Sequence, residues 1–178
     1  MTSIELLDGD AAEPYAERIF ALYDEVFGRF PDEADWRAQL FDRDRVRPGY
    51  RLALALDGDR VLGFAWGYRG SRGQQWPDLV ARSLPELPAE WMRDHFELVE
   101  LAVDASARRQ GIGGRLHDAL LDGLTGRALL GTTLATDDPA LCLYRDRGWS
   151  TLGHLAGNRQ VMGAYLPLPA PRLRGDTA

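Results

Sequence analysis

Phe96-Glu97-Leu98-Val99-Glu100-Leu101-Ala102-Val103 is an apolar run broken only by two glutamates, and it leads through Asp104-Ala105-Ser106-Ala107 into Arg108-Arg109-Gln110-Gly111-Ile112-Gly113-Gly114-Arg115-Leu116. The run has the length and composition of a buried strand. Past the glycines, Ile112, Leu116, Leu120 and Leu124 recur at steps of four, which predicts a helix over about 112–124. A strand that feeds a glycine-rich turn and then a helix is an anion-binding device. Its first helical turn carries N–H groups with no internal partner and the positive end of the helix dipole. Gly111 and Gly113 leave the backbone open to phosphate oxygens, and Arg108, Arg109 and Arg115 supply matching charge.

Two familiar phosphate loops are excluded by single residues. A P-loop needs a lysine followed by Ser or Thr, and every one of the 21 basic residues here is arginine. A dinucleotide fingerprint needs a third glycine where Leu116 stands, and it opens a first βαβ unit rather than following two helices and a hairpin.

N-terminal to this stretch, residues 3–8 read as a first strand. Tyr15, Ile19, Leu22, Tyr23, Val26 and Phe27 predict a helix from about 13 to Gly28. Asp32 suits the cap of a second short helix to about Asp42, with Trp36 and Leu40 on one face. Residues 51–57 and 60–68 flank Gly58-Asp59 as a β-hairpin. The stretch 70–94, broken by Gly70, Gly73, Pro77, Pro85 and Pro88, reads as a structured insertion with short helical turns beside a binding site. Residues 128–133 form a further strand, Pro139 opens a short helix that Gly148 ends, and 149–153 and 160–166 are closing strands. One domain over 1–166 and a disordered tail over 167–178 are expected.

Composition narrows the function. With 27% charged residues and a net charge of −6, no basic face is available for nucleic acid. The lack of lysine removes Schiff-base and lysine-nucleophile mechanisms. A single Cys142 forms no internal disulfide, and no Cys/His spacing suits a metal. Neither a signal sequence nor an apolar span is present, so a cytoplasmic protein without membrane partners is expected.

The chain resembles the GNAT (GCN5-related) N-acetyltransferase superfamily over roughly residues 3–166. Arg108-Arg109-Gln110-Gly111-Ile112-Gly113 is similar to its Arg/Gln-x-x-Gly-x-Gly/Ala signature, and Tyr144-Arg145-Asp146-Arg147-Gly148-Trp149 to its second motif. The resemblance implies an α/β (α+β) fold: a mixed, mostly antiparallel sheet of about six or seven strands flanked by helices, with a splayed parallel pair of central strands (96–103 and 128–133). It implies acetyl-CoA as acyl donor, no metal, and direct transfer to an amine in a ternary complex. The pyrophosphate would rest on Arg108, Arg109, Gln110, Gly111, Ile112, Gly113, Gly114 and Arg115. The pantetheine amides would pair with Leu101, Ala102 and Val103. Relatives often carry Asn where Asp137-Asp138-Pro139 stands, and an aspartate cannot donate that hydrogen bond.

Three residues are the catalytic candidates. Glu100 and then Glu97 are the choices for general base, since burial within the strand would bring a carboxylate toward neutral pH. Strict alternation groups Glu97 with Val99 and Leu101, and Glu100 with Leu98 and Ala102, unless a bulge breaks the parity. Tyr144 is the choice for general acid toward the departing sulfur, its alternative being plain core packing. Cys142 reads as a packing residue, His117 as exposed on its helix, and His95 as a lesser candidate for a proton relay. Trp36, Trp76 and Trp91 are ordinarily core residues, though Trp76 and Trp91 fall in the insertion. Glu97, Glu100, Asp137 and Asp138, expected around the split between the parallel strands, favour a small cationic amine as acceptor. A silent acyl-CoA sensor and an enzyme for a longer acyl-CoA remain alternatives, and a homodimer is left open.

Overall fold

The structure, a computed structural model of the chain, describes residues 1–169. From the N-terminus it runs β1 (Ser3–Leu7), α1 (Gly9–Ala12), a 3-10 turn (Glu13–Tyr15), α2 (Ala16–Phe27), α3 (Glu33–Trp36), a π-helical turn (Arg37–Phe41), α4 (Asp42–Arg45), β2 (Arg51–Asp57) and β3 (Arg60–Gly70). It continues with α5 (Gln75–Ser83), a 3-10 turn (Ala89–Met92), β4 (His95–Val103), a 3-10 turn (Ala105–Ala107) and α6 (Ile112–Leu121). The last elements are β5 (Gly126–Thr133), α7 (Pro139–Asp146), β6 (Ser150–Leu155) and β7 (Arg159–Leu166). The strands form one seven-stranded mixed sheet in the order β1-β2-β3-β4-β5-β7-β6, with β4 and β5 parallel and the other pairs antiparallel. The expected fold class therefore holds.

Two compact units divide the chain: residues 1–69 with 98–122, and 70–97 with 123 onward. In the first, β1, β2 and β3 form an antiparallel meander. The alternation of Leu52-Ala53-Leu54-Ala55 sorts large from small side chains. Leu52 pairs with Trp66 and Leu54 with Phe64, and these belong to the core formed with Ile19, Leu22 and Tyr23 of α2. Each such side chain, buried completely, contributes about 1.5–3 kcal/mol. Ala53 pairs with Ala65 and Ala55 with Gly63, which makes a shallow surface on which α6 lies. A Cβ on Gly63 would stand 2.9 Å from both the Ala102 carbonyl oxygen and the Leu116 Cδ1, so the helix sits as close as glycine permits.

Asp44 is completely buried in this unit. Trp66 Nε1 donates to it at 3.3 Å and Arg43 forms an ion pair at 3.0 Å. Burial pushes its carboxyl above the ordinary aspartate value, against the opposing pull of Arg43, Trp66 and Arg47.

In the second unit, β5 and β6 both pair antiparallel with β7. Its core is Val80, Trp91, Met92, Leu129 and Val161, with Trp76, Leu84 and Leu152 packed against it. The expected insertion at 70–94 is thus a structural part of this core, contributing Val80 from α5 and Trp91 and Met92 from the 3-10 turn.

Several boundaries move. The second helix continues through its π-helical turn to Arg45 instead of stopping at Asp42, and its cap is Asp32 as expected, accepting from the Asp35 N–H at 2.9 Å. α6 ends at Leu121 rather than Leu124, because Asp122 has ψ 133° and Gly123 turns left-handed. Of the tail expected to be disordered, residues 170–178 lie outside the described residues. No helix among the described residues is long and apolar enough to cross a membrane.

Candidate active site

The turn after β4 is held from below. Asp104 Oδ1 accepts from the Ser106 backbone N–H at 2.8 Å and from its hydroxyl at 2.6 Å, which caps the 3-10 turn. Its other oxygen accepts from Arg60 Nη2 at 2.6 Å, so the second strand of the hairpin is tied to the turn. The Ser106 hydrogen bond first, and Arg60 with it, holds the Asp104 carboxyl below the usual aspartate value. Arg108 is extended and donates through Nε to the Val103 carbonyl at 3.2 Å, and Gln110 Nε2 donates to the Ser106 carbonyl at 3.3 Å.

Arg109 then adopts φ 64° and Gly111 φ 75°, both left-handed. Gly111 is the N-cap of α6, and the first intrahelical bond runs from the Arg115 N–H to the Gly111 carbonyl. The N–H groups of Ile112, Gly113 and Gly114 precede that bond and lie in the first helical turn, where anions are held. Ile112 and Leu116 anchor the helix in the core, while Arg108, Arg109, Gln110, Gly111 and Arg115 are exposed. Residues 108–115 thus form a contiguous, largely exposed turn that leads into the first turn of α6 and carries three arginines.

On β4 the two glutamates have different surroundings. Glu97 is buried in the second unit, with His95 Nε2 at 3.9 Å. His95 is also buried, and a methyl at Gly70 would run into its Nε2, so Gly70 makes room for this ring. Glu100 faces a different set: Arg29 Nη1 donates to its Oε1 at 3.0 Å and also lies 3.5 Å from the Tyr23 hydroxyl. Burial, then the neighbouring Glu100 charge, pushes the Tyr23 phenol up to about 12. Val99 packs against the core that contains Tyr23, and its neighbour Glu100 reaches Tyr23 and Arg29. Tyr23 and Arg29 were not among the sequence candidates, because nothing links Arg29 to a glutamate 71 residues away.

Tyr144 is buried on α7, its ring 6.0 Å from that of Trp149. The Trp149 N–H donates to the Tyr144 carbonyl at 3.1 Å, which closes the segment between the two motif aromatics. Asp138 is the N-cap of α7, accepting from the N–H groups of Ala140 at 2.8 Å and Leu141 at 3.2 Å. That is the work its position gives it in place of the hydrogen bond an Asn would offer. Two expectations are corrected. Cys142 is exposed rather than packed, since the buried positions of α7 are Leu141 and Tyr144. His117 is completely buried rather than exposed, because α6 buries a wide face comprising Ile112, Gly114, Leu116, His117, Leu120 and Leu121. Its Nδ1 lies 2.9 Å from Asp118. Among the described residues, no group of three His, Cys, Asp or Glu side chains could hold a metal.

The model of the acetyltransferase (GNAT) family matches residues 16–149, a span that includes β4, the glycine turn and Tyr144. The chain belongs to that family. The GCN5-like protein acetyltransferase Rv2170 of Mycobacterium tuberculosis is 34% identical over 131 residues, covering 65% of this chain and 64% of that protein. The match thus spans just under two thirds of that relative's length. Among solved structures, aminoglycoside 6'-acetyltransferase type Ii has a TM-score of 0.64 at 20% identity, covering 94% of this chain and 99% of that one. Arabidopsis thaliana NAA60, crystallised with a bisubstrate analogue, has a TM-score of 0.63 at 13% identity, covering 93% and 98%. At such low identity these two show the fold alone.

Proposed function

We propose that this acetyltransferase moves an acetyl group from acetyl-CoA to a primary amine by direct attack in a ternary complex. The observation that carries the reading is the turn itself: left-handed Arg109 and Gly111 leading into the open N–H groups of Ile112, Gly113 and Gly114. Arg108, Arg109 and Arg115 complement a pyrophosphate there, Gln110 braces the turn, and Leu101, Ala102 and Val103 offer strand backbone to the pantetheine amides. Glu100 is the preferred base and Glu97 the second. The carboxylate takes one proton from the acceptor ammonium, the freed amine attacks the thioester carbonyl, the C–S bond breaks, and Tyr144 gives its proton to the departing thiolate. As the amide forms, the attacking nitrogen loses its second proton to solvent; solvent returns a proton to Tyr144 and removes the one held by the glutamate, so the enzyme ends as it began and one proton is released per turnover.

Thermal denaturation with acetyl-CoA, alongside thiol release over an amine panel, tests the reading. Acetyl-CoA should raise the melting temperature by mass action, and Gly113→Val should remove that rise by filling the approach to the first-turn N–H groups. An undiminished shift in a folded Gly113→Val protein overturns the phosphate assignment. Binding without thiol release for any amine makes the protein a sensor instead.

A further inference from the structure

The expectation of a cationic acceptor rested on counting carboxylates. Asp138 caps α7, Glu97 lies 3.9 Å from His95 Nε2, and Glu100 is paired with Arg29. Arg29 follows Gly28, which ends α2 in a left-handed conformation. Its guanidinium lies 4.5 Å above the Phe27 ring centroid, which sets the plane of the group. One nitrogen, Nη1, serves Glu100 and the Tyr23 hydroxyl. The side chain is 55% exposed, whereas that of Glu100 is 11% exposed. The partly buried rings of Phe27 and Phe30 lie beside the buried Tyr23, their centroids 4.8 and 5.9 Å from its own. A base candidate, a half-exposed guanidinium and two partly buried phenylalanine rings therefore share one corner of the first unit.

Resting on the amine-acetyltransferase reading, we propose that Arg29 is a specificity-determining residue and that the acceptor is a zwitterion, an amine bearing a nearby carboxylate and an apolar side group. The argument is charge balance. A purely cationic amine at Glu100 has to displace Arg29 and leave its guanidinium without a counter-charge. A purely anionic acceptor on Arg29 draws that guanidinium away from Glu100. A zwitterion exchanges one ion pair for two: its ammonium faces Glu100 and its carboxylate takes the Arg29 fork, a geometry suited to two parallel hydrogen bonds. The original pair opens from the arginine's side, because the Arg29 side chain is half-exposed and in contact with water. The partly buried rings of Phe27 and Phe30 offer aromatic surface to an apolar side group.

The test is a thiol-release comparison of leucine, leucinamide, isopentylamine and a lysine-containing peptide blocked at both ends. Wild type, Arg29→Gln and Arg29→Lys are each assayed with acetyl-CoA. In the wild type, kcat/KM for leucine should exceed that for leucinamide by 10-fold or more. That ratio should collapse in Arg29→Gln through a higher KM for leucine, and return in part in Arg29→Lys. Turnover in which leucinamide, isopentylamine or the lysine peptide equals or exceeds leucine overturns the proposal and leaves the acetyltransferase reading standing. A leucine preference that survives Arg29→Gln overturns the role of Arg29. Absence of thiol release with every amine, from a folded protein whose melting temperature acetyl-CoA raises, overturns the enzymatic reading and the zwitterion with it.

Discussion

Asp104 accepts two hydrogen bonds from Ser106, at 2.8 and 2.6 Å, through one carboxylate oxygen, while the other receives Arg60. The ordered form of the turn therefore depends on an ionised carboxylate. Its folded pKa is depressed, so the stabilisation is complete above the ordinary aspartate value of about 3.9. It is lost as pH falls through the lower folded value. Asp104→Ala should weaken acetyl-CoA binding by about 10-fold by loosening the turn, and should flatten the acid limb of the stability profile below about pH 4. Titration calorimetry and melting curves from pH 3 to 7 check both, and a variant with wild-type affinity and the same acid limb contradicts the account.

Gly63→Ala should destabilise the chain by about 1–3 kcal/mol, the range for overpacking, since its methyl meets a carbonyl and Leu116 at 2.9 Å. Because α6 carries the turn, affinity for acetyl-CoA should fall with stability. Urea unfolding with and without ligand separates the two effects. Gly63→Ala with wild-type stability means that α6 yields more easily than its packing indicates.

Tyr144→Phe should lower kcat by about 10²-fold and leave acetyl-CoA affinity within a few-fold, because the change removes a proton donor and little shape. Single-turnover measurements ensure that chemistry is observed. An unchanged rate assigns Tyr144 to packing against Trp149.

Tyr23 should titrate near 12 by ultraviolet absorbance. Its protonated form is favoured by the fold, so the associated stability is intact below the free-phenol value of about 10 and declines as pH rises toward the folded value. Glu100→Gln should bring the titration down, by deleting a charge that opposes the phenolate. Arg29→Gln should push it further up. A midpoint insensitive to both substitutions means that the three groups are not electrostatically joined in solution.

What the sequence made legible was contiguous. The hairpin of β2 and β3 and the passage from β4 through Gly111 to α6 each follow from patterns within about ten residues, where side-chain period and turn chemistry act locally. Tyr144 and Trp149 were readable for the same reason. The partnership of Glu100 with Arg29 and Tyr23 was not, because it is made by packing α2 across the sheet rather than by spacing. His117 misled because a helix lying on small residues such as Ala53, Ala55 and Gly63 buries more than one stripe, and a step of four does not reveal the width of the buried face.

Arg109 has one more consequence. A non-glycine residue at φ 64° forgoes about 1–2 kcal/mol relative to the right-handed conformation. Glycine at this position would relieve that strain, so a redesign guided only by thermostability would replace Arg109 and would delete a guanidinium from the rim of the turn. If acetyl-CoA binds as proposed, position 109 is thus a place where the most durable sequence and the most competent one diverge.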